Sequence, residues 1–202
     1  RGSVPVSPEQ EQLLIDYMNA FNQPNALVEL EAGTFANTGF TQWGASGLAV
    51  AWAEENTRES IFNAFKRKET FATTGTRIAV RFFAGYDLKT LDLDSDNLVS
   101  DAYKKGVTMG SDIMNDDNKT PDFLVWAQGD KNGAPLQRIQ IIKGWIDMNS
   151  GTPYEKVYDV ACSDGMSVDP ITNRCPDNGA RVNINDCSIS QNVGATELKS
   201  IW

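Results

Sequence analysis

The stretch Trp43-Gly44-Ala45-Ser46-Gly47-Leu48-Ala49-Val50-Ala51-Trp52-Ala53, followed at once by Glu54-Glu55-Asn56-Thr57-Arg58-Glu59, decides how the rest of the chain is read. A short continuous apolar run after glycines predicts a strand buried on both faces, as in a parallel sheet. Asn56 or Thr57 then caps a helix whose acidic first turn suits the positive end of the helix dipole. Ile61, Phe62 and Phe65 mark its expected buried stripe, and Lys66, Arg67 and Lys68 its C-terminal end. Together these make one strand–loop–helix unit. If the strand is parallel, the loop after it lies at the sheet edge where α/β barrels and open sheets carry their sites. Glu54, Glu55, Asn56 and Arg58 are therefore candidates for the rim of a polar pocket. Helix capping and surface ion pairing explain the same residues without a site, and are the more ordinary outcome for such a loop.

Upstream, Ser7-Pro8-Glu9-Gln10 is a helix start, with Ser7 as cap and Pro8 in the first helical position. Leu13, Leu14, Tyr17, Met18 and Phe21 then recur at helical spacing, which predicts a helix over residues 8–22. Val28-Glu29-Leu30 reads as a short strand before a connection rich in Gly and Thr. Downstream, Thr73-Thr74-Gly75 ends the helical pattern and alternation begins. Ile78, Val80 and Phe82 share one face of a strand, while Arg77, Ala79 and Arg81 share the other. Residues 121–127, 136–143 and 154–160 are further strand candidates, with Asp130-Lys131-Asn132-Gly133 as a turn. The fold class expected is α+β: residues 1–75 carry a helical segment and the strand–helix unit, and residues 76–202 form a β-rich, sandwich-like domain. Thr73-Thr74-Gly75-Thr76-Arg77 could hold an anion through its N–H groups and Arg77, although a loop turning into a strand explains it equally.

With 202 residues, a formal net charge of −9 and a sequence pI near 4.5, the chain repels phosphate backbones and anionic membrane surfaces. Nucleic acid and membrane insertion are poor expectations, since no apolar run approaches the roughly 20 residues a bilayer demands. The opening Arg1-Gly2-Ser3-Val4-Pro5 has no signal-peptide core and reads as an internal cut. There is no histidine, which removes Ser-His-Asp and Cys-His arrangements and every His-based metal site from this chain. Asp92, Asp94 and Asp96 alternate like a calcium loop, but Asn97 stands where the turn glycine belongs, so a solvated acidic loop is the better reading. Trp126 and Trp145 are either stacking platforms for sugar rings or sheet-core residues. Cys162, Cys175 and Cys187 lie in one polar, turn-rich segment that gains most from a covalent clip, so one disulfide and one leftover thiol are expected; three free thiols in a cytosolic protein are the alternative, and zinc is disfavoured without a CxxC spacing or His.

Several blocks together carry a resemblance. Gly44-Ala45-Ser46-Gly47-Leu48, Trp52-Ala53-Glu54-Glu55-Asn56-Thr57-Arg58-Glu59 and Arg67-Lys68-Glu69-Thr70-Phe71-Ala72-Thr73-Thr74-Gly75 resemble a large bacterial family, the domain of unknown function 3604 family. The likeness continues through Arg77-Ile78-Ala79-Val80-Arg81-Phe82-Phe83, Gln137 to Trp145, Lys156 to Gly165 and Arg174 to Gly179. It covers most of residues 43–202, while residues 1–42 match only loosely. Members of that family are longer, and their N-terminal parts are similar to the PHP (polymerase and histidinol phosphatase) metallohydrolases, with His- and Asp-rich metal motifs.

The resemblance implies that this chain is the C-terminal part of such a protein: the last strand–helix unit of a PHP-like barrel, then an appended β-domain. It implies a divalent metal in the intact protein and none held by this chain, with the missing N-terminal part as a partner. A further Cys beyond Trp202 would account for the odd cysteine, and many relatives look exported, which suggests a periplasmic or extracytoplasmic home. Open strand edges would favour a homo-oligomer. The leading expectation is a non-catalytic fragment of a metal-dependent hydrolase, a phosphoesterase when intact, with no catalytic or metal-ligating residue in this chain. The rivals are a carbohydrate- or protein-binding β-module and a purely structural domain.

Overall fold

The computed structural model describes residues 8, 12, 27–30, 33–36, 47–116 and 119–202. Most of the helix expected over residues 8–22 lies outside the described residues; Pro8 and Gln12 are helical. The chain divides into two compact units, Arg1–Ala45 and Ser46–Trp202. In the first, strand β1 (Leu27–Leu30) pairs antiparallel with β2 (Gly33–Ala36).

The second unit begins with β3 (Leu48–Ala51), helix α1 (Arg58–Lys66) and β4 (Thr70–Thr73). Here the structure corrects the reading of the opening stretch. Strand β3 pairs antiparallel with β4 in a two-stranded ribbon, and Leu48 is 41% exposed. The reason lies at the end of α1. Lys68 adopts the left-handed conformation (φ 61°), with its N–H donating to Phe65 O while Glu69 N donates to Ala64 O. That is a Schellman reversal, and it turns the chain back so that Thr70 lands beside Ala51. The expected stripe is also corrected: Ala64 is the fully buried residue of α1, whereas Phe62 and Phe65 are exposed. Thr57 is the cap, its Oγ1 accepting from Ser60 N at 3.2 Å.

The main sheet is four-stranded in the order β10-β7-β5-β6, built from β5 (Ala79–Gly85), β6 (Gly106–Thr108), β7 (Asp122–Gln128) and β10 (Glu197–Ile201). Every strand pair among the described residues is antiparallel. Alternation gives the sheet two apolar faces. Val80 and Phe82 join Val125, Ala127, Leu136 and Ile139 on one side. Phe83 and Leu124 face Leu88, Leu98 and Ala102 on the other.

The second face is covered by a short 3-10 turn (Leu88–Thr90) and helix α2 (Leu98–Lys105). Neither is signalled by the sequence pattern, which reads as loop there. The first face is covered by an antiparallel hairpin of β8 (Arg138–Ile146) and β9 (Pro153–Cys162). Residues 46–202 are therefore mixed α+β, with the hairpin on one face of the sheet and the short helical elements on the other.

The change of pattern at Gly75 falls inside the second unit. Trp52 Nε1 donates to Val80 O at 2.9 Å, tying the β3–α1 segment to β5. Asp92, Asp94 and Asp96 form the approach to α2, with Asp92 Oδ1 accepting from Asp94 N.

Candidate functional site

Four separate segments meet here. Trp52 leaves β3, Arg67 and Glu69 flank the Schellman reversal, Arg81 projects from β5, and Tyr103 comes from α2. They line, with Glu54, an open cleft of about 530 Å³. Glu69 is buried, and its carboxylate accepts from Arg67 Nε at 3.3 Å and from the Tyr103 hydroxyl at 3.2 Å. The Arg81 guanidinium lies 3.8 Å from the centroid of the Trp52 ring and donates to Tyr103 Oη at 3.5 Å. Among the described residues no carboxylate forms an ion pair with Arg81. On its far side, Trp52 and Arg81 also line a smaller recess of about 90 Å³ with Trp126 and Gln128. The buried Trp126 Nε1 has no hydrogen-bond partner among the described residues.

Of the residues the sequence put forward, Glu54 reaches this cleft. Glu55 is fixed through its backbone, its N–H donating to Ser60 Oγ at 3.1 Å, and its position is exposed. Asn56 and Arg58 are exposed at the start of α1. Arg77 belongs elsewhere: its N–H donates to Asp130 Oδ2 at 2.7 Å, in the turn after β7. That contact, with a second N–H from Asn132, holds the Asp130 carboxyl below the usual range. Sequence reasoning missed Arg67, Glu69, Arg81 and Tyr103 as a group. The one available signal was Arg81, a cation between Val80 and Phe82 in a strand that is central to the sheet.

A divalent metal is what the resemblance implies for the intact protein. Among the described residues, no group of three or more His, Cys, Asp or Glu side chains stands ready to hold one. In the cleft, Glu69 is engaged by Arg67 and Tyr103, and its other carboxylate neighbour is Glu54 alone, so the donor set does not fit a metal ion.

The cysteines form the expected single clip. Cys162 and Cys175 are disulfide-bonded across 13 positions, and Cys187 is free and exposed. Beside the clip lies Asp159, whose side chain is fully buried. Its carboxylate accepts from Cys175 N (2.7 Å), Gln140 Nε2 (2.6 Å) and Arg174 Nη1 (3.2 Å), with Arg138 Nη1 at 3.5 Å. Burial pushes its pKa up, but these donors together outweigh burial and hold it below the ordinary carboxylate range. A bulge opposite Ile139 and Gln140 makes room for this contact and leaves Val160 O to accept from Ser200 Oγ.

The fold and cleft thus define a mixed α+β unit with an aromatic-backed cleft lined by two arginines and two glutamates. The chain belongs to the family described as "Protein of unknown function (DUF3604)", whose model matches residues 13–202. No curated protein and no solved structure matches the chain.

Proposed function

We propose that this chain is the non-catalytic, cleft-shaping part of a bacterial PHP-like metal-dependent hydrolase, a phosphoesterase when intact. The observation that carries the reading is Arg81. Its guanidinium carbon lies over the Trp52 ring, it contacts Tyr103, and it forms no ion pair with a carboxylate among the described residues. A planar, always-charged fork that is pre-oriented and unneutralised is suited to receive an anionic ester group. Glu69 is directed to Arg67 and Tyr103, and forms no ion pair with Arg81 among the described residues. In this reading the metal and its ligands belong to another part of the parent protein. The exposed Leu48, Phe62 and Phe65 then form an apolar face against that part. The disulfide, and the lack among described residues of any helix long and apolar enough to cross a membrane, are compatible with an extracytoplasmic home.

Two measurements test this. Titration with inorganic phosphate and phenyl phosphate, followed by tryptophan fluorescence, should saturate in the native chain and be lost in Arg81→Ala. Trp52→Phe should identify Trp52 as the reporter. A flat titration sinks the cleft assignment. Separately, this chain with added manganese or zinc should leave p-nitrophenyl phosphate intact. Turnover above the metal-only blank would sink the non-catalytic assignment.

A further inference from the structure

The hairpin β8–β9 covers the sheet only with its inner half. Beyond Ile141 and Tyr158 it runs on as a two-stranded arm in which Ile142, Trp145, Ile146 and Tyr154 are all exposed. Alternation sorts the arm's residues. Ile142, Ile146 and Glu155 lie on one face. The other continues the core-facing side and carries two successive cross-strand pairs, Lys143 opposite Lys156 and Trp145 opposite Tyr154.

The aromatic pair is stacked, with ring centroids 5.6 Å apart and planes at 19°, so each ring covers one face of the other and the half-exposed pair keeps an outer ring face open. The lysine pair is the anomaly. Like charges directly opposite each other on a sheet face are destabilising, and both side chains are exposed. Neither cation forms an ion pair among the described residues; Lys143 Nζ is 5.7 Å from the Trp145 centroid and Lys156 Nζ 4.8 Å from that of Tyr158. Glu155 is on the opposite face, so no carboxylate of the arm's strands shares this one. A chain of net charge −9 thus concentrates two unneutralised cations beside a stacking platform.

We propose that this face of the arm binds an anionic polysaccharide. A sugar ring stacks on the outer ring face of the Trp145–Tyr154 pair, and its carboxylate or sulfate sits between Lys143 and Lys156. Apolar sugar faces and aromatic rings are complementary, and an anion between the lysines removes their repulsion. A lipid surface fits less well. The tip exposes Met148, but Asp147, its carboxylate fixed by the N–H groups of Asn149 and Ser150, and Glu155 keep that end anionic. The arm shares no residue with the Arg81 cleft, so either assignment can fail alone.

The test is affinity electrophoresis of the full chain in gels containing polygalacturonate, a sulfated galactan or neutral dextran, with co-sedimentation on phosphatidylglycerol vesicles alongside. Retardation is expected in polygalacturonate or in the sulfated galactan, and which of the two separates carboxylate from sulfate recognition. Trp145→Ala and the double variant Lys143→Gln/Lys156→Gln should each weaken it on the order of tenfold. The double variant should also keep or raise Tm in the absence of polymer, since it removes a like-charge pair; this separates lost binding from lost folding. The proposal is overturned by retention in neither anionic gel at low ionic strength, by equal retention in dextran, by unchanged retention of the variants, or by partition onto vesicles alone.

Discussion

The four-stranded sheet and the segment between β9 and β10 are neighbours in the same unit, yet they are held by opposite means. In the sheet, Phe83, Leu124, Leu88, Leu98 and Ala102 are almost wholly removed from water, and burial of that apolar area supplies the stability. In residues 163–196 the buried apolar residues are Cys175 and Ala180. There the carboxylates do the organising. Asp169 accepts the N–H groups of Ile171 and Thr172, Asp177 that of Gly179, and Asp164 that of Gly194. Each carboxyl is held below the usual range by such donors, with Asn178 first among those acting on Asp164. An acidic chain can thus use its negative charge as local structure, where a loop has too little apolar content to build a core.

The sharpest way to break this contrast is to attack each region by its own means. Phe83→Ala should cost about 3–5 kcal/mol, through lost transfer energy and the cavity left beside Leu88 and Leu124. Urea unfolding would show this as a lower midpoint for the whole unit. Removing the clip with Cys162→Ala/Cys175→Ala should cost about 3 kcal/mol, as expected for a closed loop of this size. Hydrogen exchange should then show lost protection in residues 163–196 with the sheet still protected. Simultaneous loss in both would mean that the two regions form one cooperative block.

Asp159→Asn should cost less, about 2 kcal/mol. It strands Arg138 and Arg174, but both side chains are part-exposed and recover some hydration. Acid offers the same comparison without mutation. Because the folded-state pKa of Asp159 lies below its unfolded value, its contribution is complete above pH of about 4. It is lost as pH falls through the lower folded value. The same direction holds for Asp164, Asp169 and Asp177. Exchange rates at pH 7 and pH 3, corrected for intrinsic chemistry, should show the segment opening first.

What the sequence makes legible follows the same division. Alternation through Val80 and Phe82 marks β5, because Arg81 on the opposite face interrupts the apolar run. Strand β10 hides, since Glu197-Leu198-Lys199-Ser200-Ile201 is mostly polar on an edge and is recognised only by its pairing with β7. Helix α2 is too short for a periodic signal; Leu98 and Ala102 are its buried pair. The Ala-rich run at Leu48–Ala51 looks like a buried parallel strand, but small residues do not specify a buried face, and the turn at Lys68 overrides them. The cleft is harder still. Glu54 is accessible to reasoning from its place in a loop, whereas Arg67, Glu69, Arg81 and Tyr103 come together from three segments by tertiary packing. A single clip among three cysteines is readable from the turn-rich surroundings; that Cys162 pairs with Cys175 is not.

The smallest effect bears most directly on that overriding turn. Lys68 occupies the position of a Schellman reversal where glycine is usual, at φ 61°. A side chain in the left-handed region costs roughly 1–3 kcal/mol, while glycine loses about 0.5–1 kcal/mol in extra unfolded-state freedom. Lys68→Gly should therefore stabilise by about 1 kcal/mol, raising Tm by roughly 2–4 °C for a domain of this size. The contact that could reverse the sign is Gly110, which itself has a positive φ and lies so close to Lys68 that an added Cβ would clash with it. If Lys68→Gly lowers Tm, packing across Gly110 outweighs the backbone strain. In either case the reversal survives, because its hydrogen bonds from Lys68 N and Glu69 N are backbone bonds. Glu69 then stays at the cleft, and phosphate binding through Arg81 should be unchanged. Loss of that binding in Lys68→Gly would mean that the lysine side chain, and not only the turn it occupies, sets the geometry of the site.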